Sequence, residues 1–137
     1  MGSWSVNNTS VNTTIAPPAN ERWEIEYGYL YLNTNSTAAV RQVSLVLTNS
    51  LLSGFNIYLM STGNVSGTST LYNAYILPYP NLSSSQIPAN STPANQFLFN
   101  YATPPNVWPF NTLTVSTEGI QSGDAWSIQL QYNEVAL

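Results

Sequence analysis

The 137-residue chain contains no cysteine, no histidine and no lysine. Each absence removes a class of chemistry. Without cysteine there is no disulfide framework and no thiolate metal site. Without histidine, neither Ser–His nor Cys–His activation of a nucleophile is available. A Ser–Lys dyad fails for want of lysine. No glycine-rich phosphate loop is present either. Charge is almost as scarce: Asp, Glu, Lys and Arg make up 6% of the chain, against roughly 25% in typical domains. The only cations are Arg22 and Arg41. Two cations neutralise few phosphates, so direct nucleic-acid binding is not expected, nor is electrostatic attachment to anionic lipid. No apolar run approaches the roughly 18 residues of a membrane-spanning helix. The start, Met1-Gly2-Ser3-Trp4-Ser5-Val6, has no basic region followed by a long apolar one, so it does not read as a signal peptide.

What is present is a core. Hydrophobic residues make up 43%, with 4 Trp, 9 Tyr and 4 Phe. A disordered chain would have few aromatics and high net charge. The length suits one domain around one core. Solubility falls to Asn, Ser, Thr and Gln. With only six carboxylates, the surface charge changes little as pH falls, which suits an external and even acidic setting.

The pattern is that of strands. Residues 1–20 are polar and end in Ala16-Pro17-Pro18-Ala19-Asn20, so an N-terminal arm is expected there, with one short strand near Trp4–Val6. Residues 21–137 form the body. In Arg22–Leu32, Trp23, Ile25, Tyr27, Tyr29 and Tyr31 fall on one face at a period of two, and core packing is expected for that face. Further strands are expected over Val40–Thr48, Gly54–Ser61, Ser69–Leu77, around Phe97–Tyr101, over Thr112–Thr117 and over Ala125–Val135. Gly63–Gly67 is the expected hairpin loop, and residues 78–93 a long proline-marked connection. No segment has a helical period, and β-branched and aromatic residues dominate. The expectation is an all-β sandwich or barrel of about eight antiparallel strands, a single jelly roll. An immunoglobulin-like sandwich is the alternative; the missing cysteines exclude only its disulfide-bearing forms.

Few residues are candidates for chemistry. Glu21, Glu24 and Glu26 cluster, and paired carboxylates do acid–base work in some enzymes. Here Glu24 and Glu26 fall on the polar face of their strand, which reads as a solvated or interface face. Glu118 and Asp124 are the nearest approach to a calcium pair, but Gly119 to Gly123 between them reads as a turn. No enzyme activity, cofactor or metal is expected. Asn7, Asn8, Asn12, Asn35, Asn64, Asn81 and Asn90 each open an Asn-x-Ser/Thr sequon in an expected arm, turn or loop, where N-glycans attach. Trp108, between Pro105 and Pro109, is the candidate exposed aromatic contact, or else a plug over one end of the barrel. Trp4 in the arm and Leu137 at the end complete the candidate interface residues.

Two segments resemble a known group. Ile15-Ala16-Pro17-Pro18-Ala19-Asn20-Glu21-Arg22-Trp23-Glu24-Ile25 leads into a strand through Pro-Ala-x-x-x-Trp-x-Ile. Val115-Ser116-Thr117-Glu118-Gly119-Ile120-Gln121-Ser122-Gly123-Asp124-Ala125-Trp126-Ser127 is the second. Together they resemble single jelly-roll capsid proteins of phages and of tailless icosahedral viruses of thermophiles, and the composition is similar to virion proteins of hyperthermophilic archaeal viruses. The matching segments cover about a fifth of the chain. The resemblance implies a shell subunit of the virion that tiles into pentamers or hexamers with other capsid subunits. The chain departs from capsid proteins that touch the genome through a basic arm. A glycan- or host-receptor-binding jelly roll on a spike or cell surface is the second expectation.

Overall fold

The computed structural model describes residues 1–52, 56–62, 71–76, 96–98 and 106–137. They form ten strands and no helix: β1 (Gly2–Thr9), β2 (Thr13–Ile15), β3 (Glu21–Asn33), β4 (Gln42–Asn49), β5 (Asn56–Ser61), β6 (Leu71–Ile76), β7 (Gln96–Leu98), β8 (Asn106–Val107), β9 (Asn111–Glu118) and β10 (Ala125–Ala136). The expected hairpin loop at 63–67, the connection at 78–93 and the residues Phe99 and Tyr101 lie outside the described residues.

The strands make two sheets. One runs β1-β10-β3-β6, with β8 beside β3; the other runs β2-β9-β4-β5-β7. Every pair is antiparallel except β5 with β7. Strand β3 is the long spine of the first sheet. One side pairs β10 from Glu21 to Asn33. The other side is shared: β8 takes Trp23 and Glu24, and β6 takes Gly28 to Asn33. Residues 1–20 hold two strands, one in each sheet, so the expected arm is folded into the sandwich.

The core lies between the sheets. Trp126, Ile128, Leu130 and Tyr132 of β10 meet Val43, Leu45 and Leu47 of β4 and Leu113 and Val115 of β9. Trp23 stacks on Tyr132, with ring centroids 4.2 Å apart. Strand β4 is buried on both faces from Gln42 to Leu47. Its second face carries polar groups that pair internally: Gln42 Nε2 donates to Ser61 Oγ at 2.6 Å, and Ser44 Oγ to the same atom at 3.1 Å. Burial without those bonds would cost about 1–3 kcal/mol for each group.

The single-face reading of β3 is overturned by a bulge. Opposite β10, Tyr27 pairs Gln131 and Ile25 pairs Tyr132, so Glu26 is an extra residue without a partner. An extra residue swaps the two faces of every position beyond it. Trp23 and Ile25 point inward before the bulge; Leu30 and Leu32, both 0% exposed, point inward after it. Tyr27, Tyr29 and Tyr31 are half-buried on the outer face. Leucine has no polar atom to satisfy, whereas a buried phenol needs a partner, so the swap puts the cheaper side chain inside.

Candidate interaction surfaces

Three places on the sandwich carry features beyond packing: the β1–β2 side, the end that holds Trp108, and the opposite end that holds Arg41.

The β1–β2 side is built from the two edge strands next to β10 and β9. Among the described residues, β1 pairs nothing on its outer side. It presents an open outer edge along its eight residues, from Gly2 to Thr9. Natural edges are guarded by lysine, by proline or by short length. This one has no charged side chain, and none occurs before Glu21. Trp4 and Val6 pack partly against the core, so Trp4 anchors the edge and does not project from it. Ser3, Ser5 and Asn7 alternate outward and are exposed.

At the lower end, β3 begins, β10 finishes, and β4 gives way to the chain leading to β5. Ser50 donates its amide to Phe110 O at 2.9 Å, and Leu137 donates its own to Asn20 O at 2.9 Å. These bonds bring Leu51, Leu52, Trp108, Phe110 and Leu137 to one end, all partly or well exposed. Trp108 is 37% exposed. The Arg22 guanidinium sits 5.2 Å from its ring centroid, and Phe110 stacks beside it at 6.4 Å. Trp108 is therefore half a plug and half a surface. Its ring covers the Arg22 side chain, which also pairs Glu24 at 2.8 Å. Glu24 is 43% exposed, and exposed pairs contribute little. Replacing Glu24 by Gln should change the unfolding free energy by less than about 1 kcal/mol in a denaturant melt. Glu26 accepts a hydrogen bond from Asn133 Nδ2 at 2.5 Å and is otherwise exposed.

At the upper end, one buried ion pair ties two connections together. Arg41 Nε donates to Asp124 Oδ2 at 2.5 Å, and both side chains are 0% exposed. Asp124 also accepts the Asn35 amide and the Gln121 amide, each at 2.7 Å. Arg41 spends its other nitrogens on Ala39 O, Thr37 O and Asn35 Oδ1. Burial pushes the Asp124 carboxyl up, but the two backbone N–H groups and the Arg41 guanidinium outweigh it and hold the carboxyl below its ordinary value. Gly119 closes the knot with φ +68°, and a Cβ there would lie 2.0 Å from Val40 O. With its carboxylate committed to Arg41, Asp124 does not join Glu118 as a cation ligand. Among the described residues no group of three or more Asp or Glu gathers to hold a metal.

The sequons divide the same way. Asn7 and Asn8 are exposed on β1. Asn12 is exposed and accepts a hydrogen bond from the Thr117 hydroxyl at 3.0 Å. Asn35 belongs to the knot, its Nδ2 donating to Ser122 O, so a glycan on that nitrogen would compete with the knot. Asn64, Asn81 and Asn90 lie outside the described residues. Compared with family models, with curated proteins and with solved structures, the chain finds no match in any of the three.

Proposed function

We propose that this chain is a non-enzymatic structural subunit: a single jelly roll that assembles with copies of itself, and with other capsid subunits, into a virion shell. Four antiparallel pairs are nested along the sequence: β4 with β5, β3 with β6, β2 with β9 and β1 with β10. Nested pairs are what a long hairpin makes when it is rolled into two sheets, and they support the jelly-roll reading. An immunoglobulin-like order sets the first strand beside the second, whereas here β1 lies beside β10. Eight of the ten strands belong to this scheme, and the short β7 and β8 are additions to it.

The observation that carries the assembly reading is the unguarded β1 edge. An uncharged edge of this length is a template for another strand, and a second copy offers one without like-charge repulsion. Both arginines are engaged within the fold, which favours a shell role without direct genome contact.

The test is the mass of the native protein at micromolar concentration by light scattering, with negative-stain imaging. Pentamers, hexamers or particles support the proposal. Substituting Ser3→Lys with Ser5→Lys on the exposed face of β1 should leave a folded monomer, with assembly partly recovered as salt screens the new charges. A clean monomer of the unaltered chain at every concentration sinks self-assembly and turns attention to a receptor- or glycan-binding module.

A further inference from the structure

The bulge at Glu26 has turned three tyrosines outward onto a face that holds no charge near Tyr31, and beside that ring lies a cleft of about 290 Å³. Asn7, Asn8, Tyr31, Asn33, Ala125 and Ser127 line it. We infer that this cleft binds a neutral oligosaccharide, with a sugar ring stacked on Tyr31 and its hydroxyls held by the surrounding amides and the Ser127 hydroxyl. The inference is independent of assembly.

Three features of the cleft support it. First, its chemistry is uncharged and two-sided. Asn side chains both donate and accept, the serine hydroxyl does the same, and the tyrosine supplies an apolar ring with a polar tip. A pyranose has the matching character, with C–H faces and a hydroxyl rim. A charged ligand would lose hydration here and gain no counter-charge. Second, the cleft is set by backbone geometry. The β1–β10 register shifts between Val6 and Thr9, and Asn8 adopts φ 50°. The Asn8 amide donates to Ser127 Oγ at 3.0 Å, which leaves the hydroxyl proton of Ser127 for a ligand. Bulges re-aim side chains, and non-glycine residues at positive φ gather at ligand clamps. Third, the aromatic platform is held in place. Tyr29 meets Tyr31 edge-on, with centroids 4.2 Å apart and planes at 75°. A ring fixed before binding loses less freedom when a ligand stacks on it. The volume lies at the small end of ligand sites, which run from about 300 Å³ upward, so the end of a glycan chain fits better than the middle of a polymer.

The experiment uses the full chain made in bacteria that attach no N-glycans, so that Asn7 and Asn8 are bare. Maltotriose, cellotriose, chitotriose and mannotriose, each at millimolar concentration, are the probes, read by saturation-transfer NMR and titration calorimetry. At least one should bind. Tyr31→Ala should weaken that probe by about tenfold, the order of one aromatic contact, while Tyr31→Phe keeps most of the affinity. Tyr31→Phe should melt as the parent does, and Tyr31→Ala, which gives up the edge contact with Tyr29, should still melt cooperatively with only a small fall in midpoint. Failure of all four probes to bind overturns the inference, and so does binding that Tyr31→Ala leaves unchanged.

Discussion

Replacing Arg41 by alanine should lower the unfolding free energy by about 3–5 kcal/mol, the range for breaking a buried ion pair from one side. For a chain of this size that is a fall in melting temperature of about 10–20 °C. The reason is what stays behind. Asp124 remains 3% exposed with no cation beside it, and the carbonyls of Ala39 and Thr37 lose their donor. Many buried pairs are replaced by apolar residues at no net loss. This one should not be. In Arg41→Met with Asp124→Leu, the amides of Asn35 and Gln121 lose their acceptor, each at about 1–3 kcal/mol. The double variant should therefore stay well below the parent in a denaturant melt. A double variant as stable as the parent would show that the pair sets loop geometry without stabilising it. The same carboxyl sets an acid limit. Its pKa is lowered in the fold, so its contribution is complete above the unfolded value of 3.8 and is lost as pH falls through the still lower folded value. Stability should be flat from neutral pH down to about 5 and should decline below about 4. In Asp124→Asn that share of the acid decline should vanish from the pH profile.

Deleting Glu26 together with Tyr27 should abolish folding, whereas deleting Glu26 alone should not: with Glu26 gone, Ile25 and Tyr27 become neighbours opposite Tyr132 and Gln131, and every face of β3 is kept. Removing that second position, Tyr27, carries Tyr29 and Tyr31 toward the core and Leu30 and Leu32 toward water. Exposing the two leucines costs about 3–6 kcal/mol. Burying phenols without partners adds about 1–3 kcal/mol apiece. The sum reaches the whole stability of an ordinary domain, about 5–15 kcal/mol. The expected result is a chain with no cooperative melt and no near-ultraviolet dichroism. Glu26→Ala keeps the bulge and should melt within about 1 kcal/mol of the parent. If the double deletion melts as the parent does, the faces of β3 are not set by its register with β10.

The contrast between β10 and β3 explains how much of the fold was legible. In β10 the apolar Trp126, Ile128, Leu130 and Tyr132 alternate with Ser127, Gln129 and Gln131, and only one face can be buried. In β3 both sets after Gly28 are apolar enough to bury, so a period of two fits either face and the slip at Glu26 leaves no break in the pattern. The usable signal was chemical: Leu30 and Leu32 lack the phenol that Tyr29 and Tyr31 must satisfy. Strand β4 differs again: Gln42 and Ser44 alternate with Val43 and Leu45, yet both are buried and bonded to Ser61. Strands β2 and β8, of three and two residues, are too short to show any period. Trp108 was legible as an aromatic in a loop. The Arg41–Asp124 pair was not, because its partners are 83 positions apart and nothing in the sequence links one to the other. The cleft depends on the bulges in β1 and β3, so no linear pattern announces it.

The nesting of the strands also imposes an order on folding. Only β4 and β5 are close in sequence among the nested pairs, so their hairpin closes at the least entropic cost. Each outer pair must wait for a longer loop to close. Strand β1 is made well before its partner β10, with eight other strands between them in the chain. A topology so dominated by distant pairings folds slowly. Until β10 emerges the uncharged β1 is unpaired and available to strands of neighbouring nascent chains, the exposure that invites misassembly. Dilute or chaperoned synthesis should therefore raise the yield of this protein, because β1 must be kept from other partners until β10 has been made.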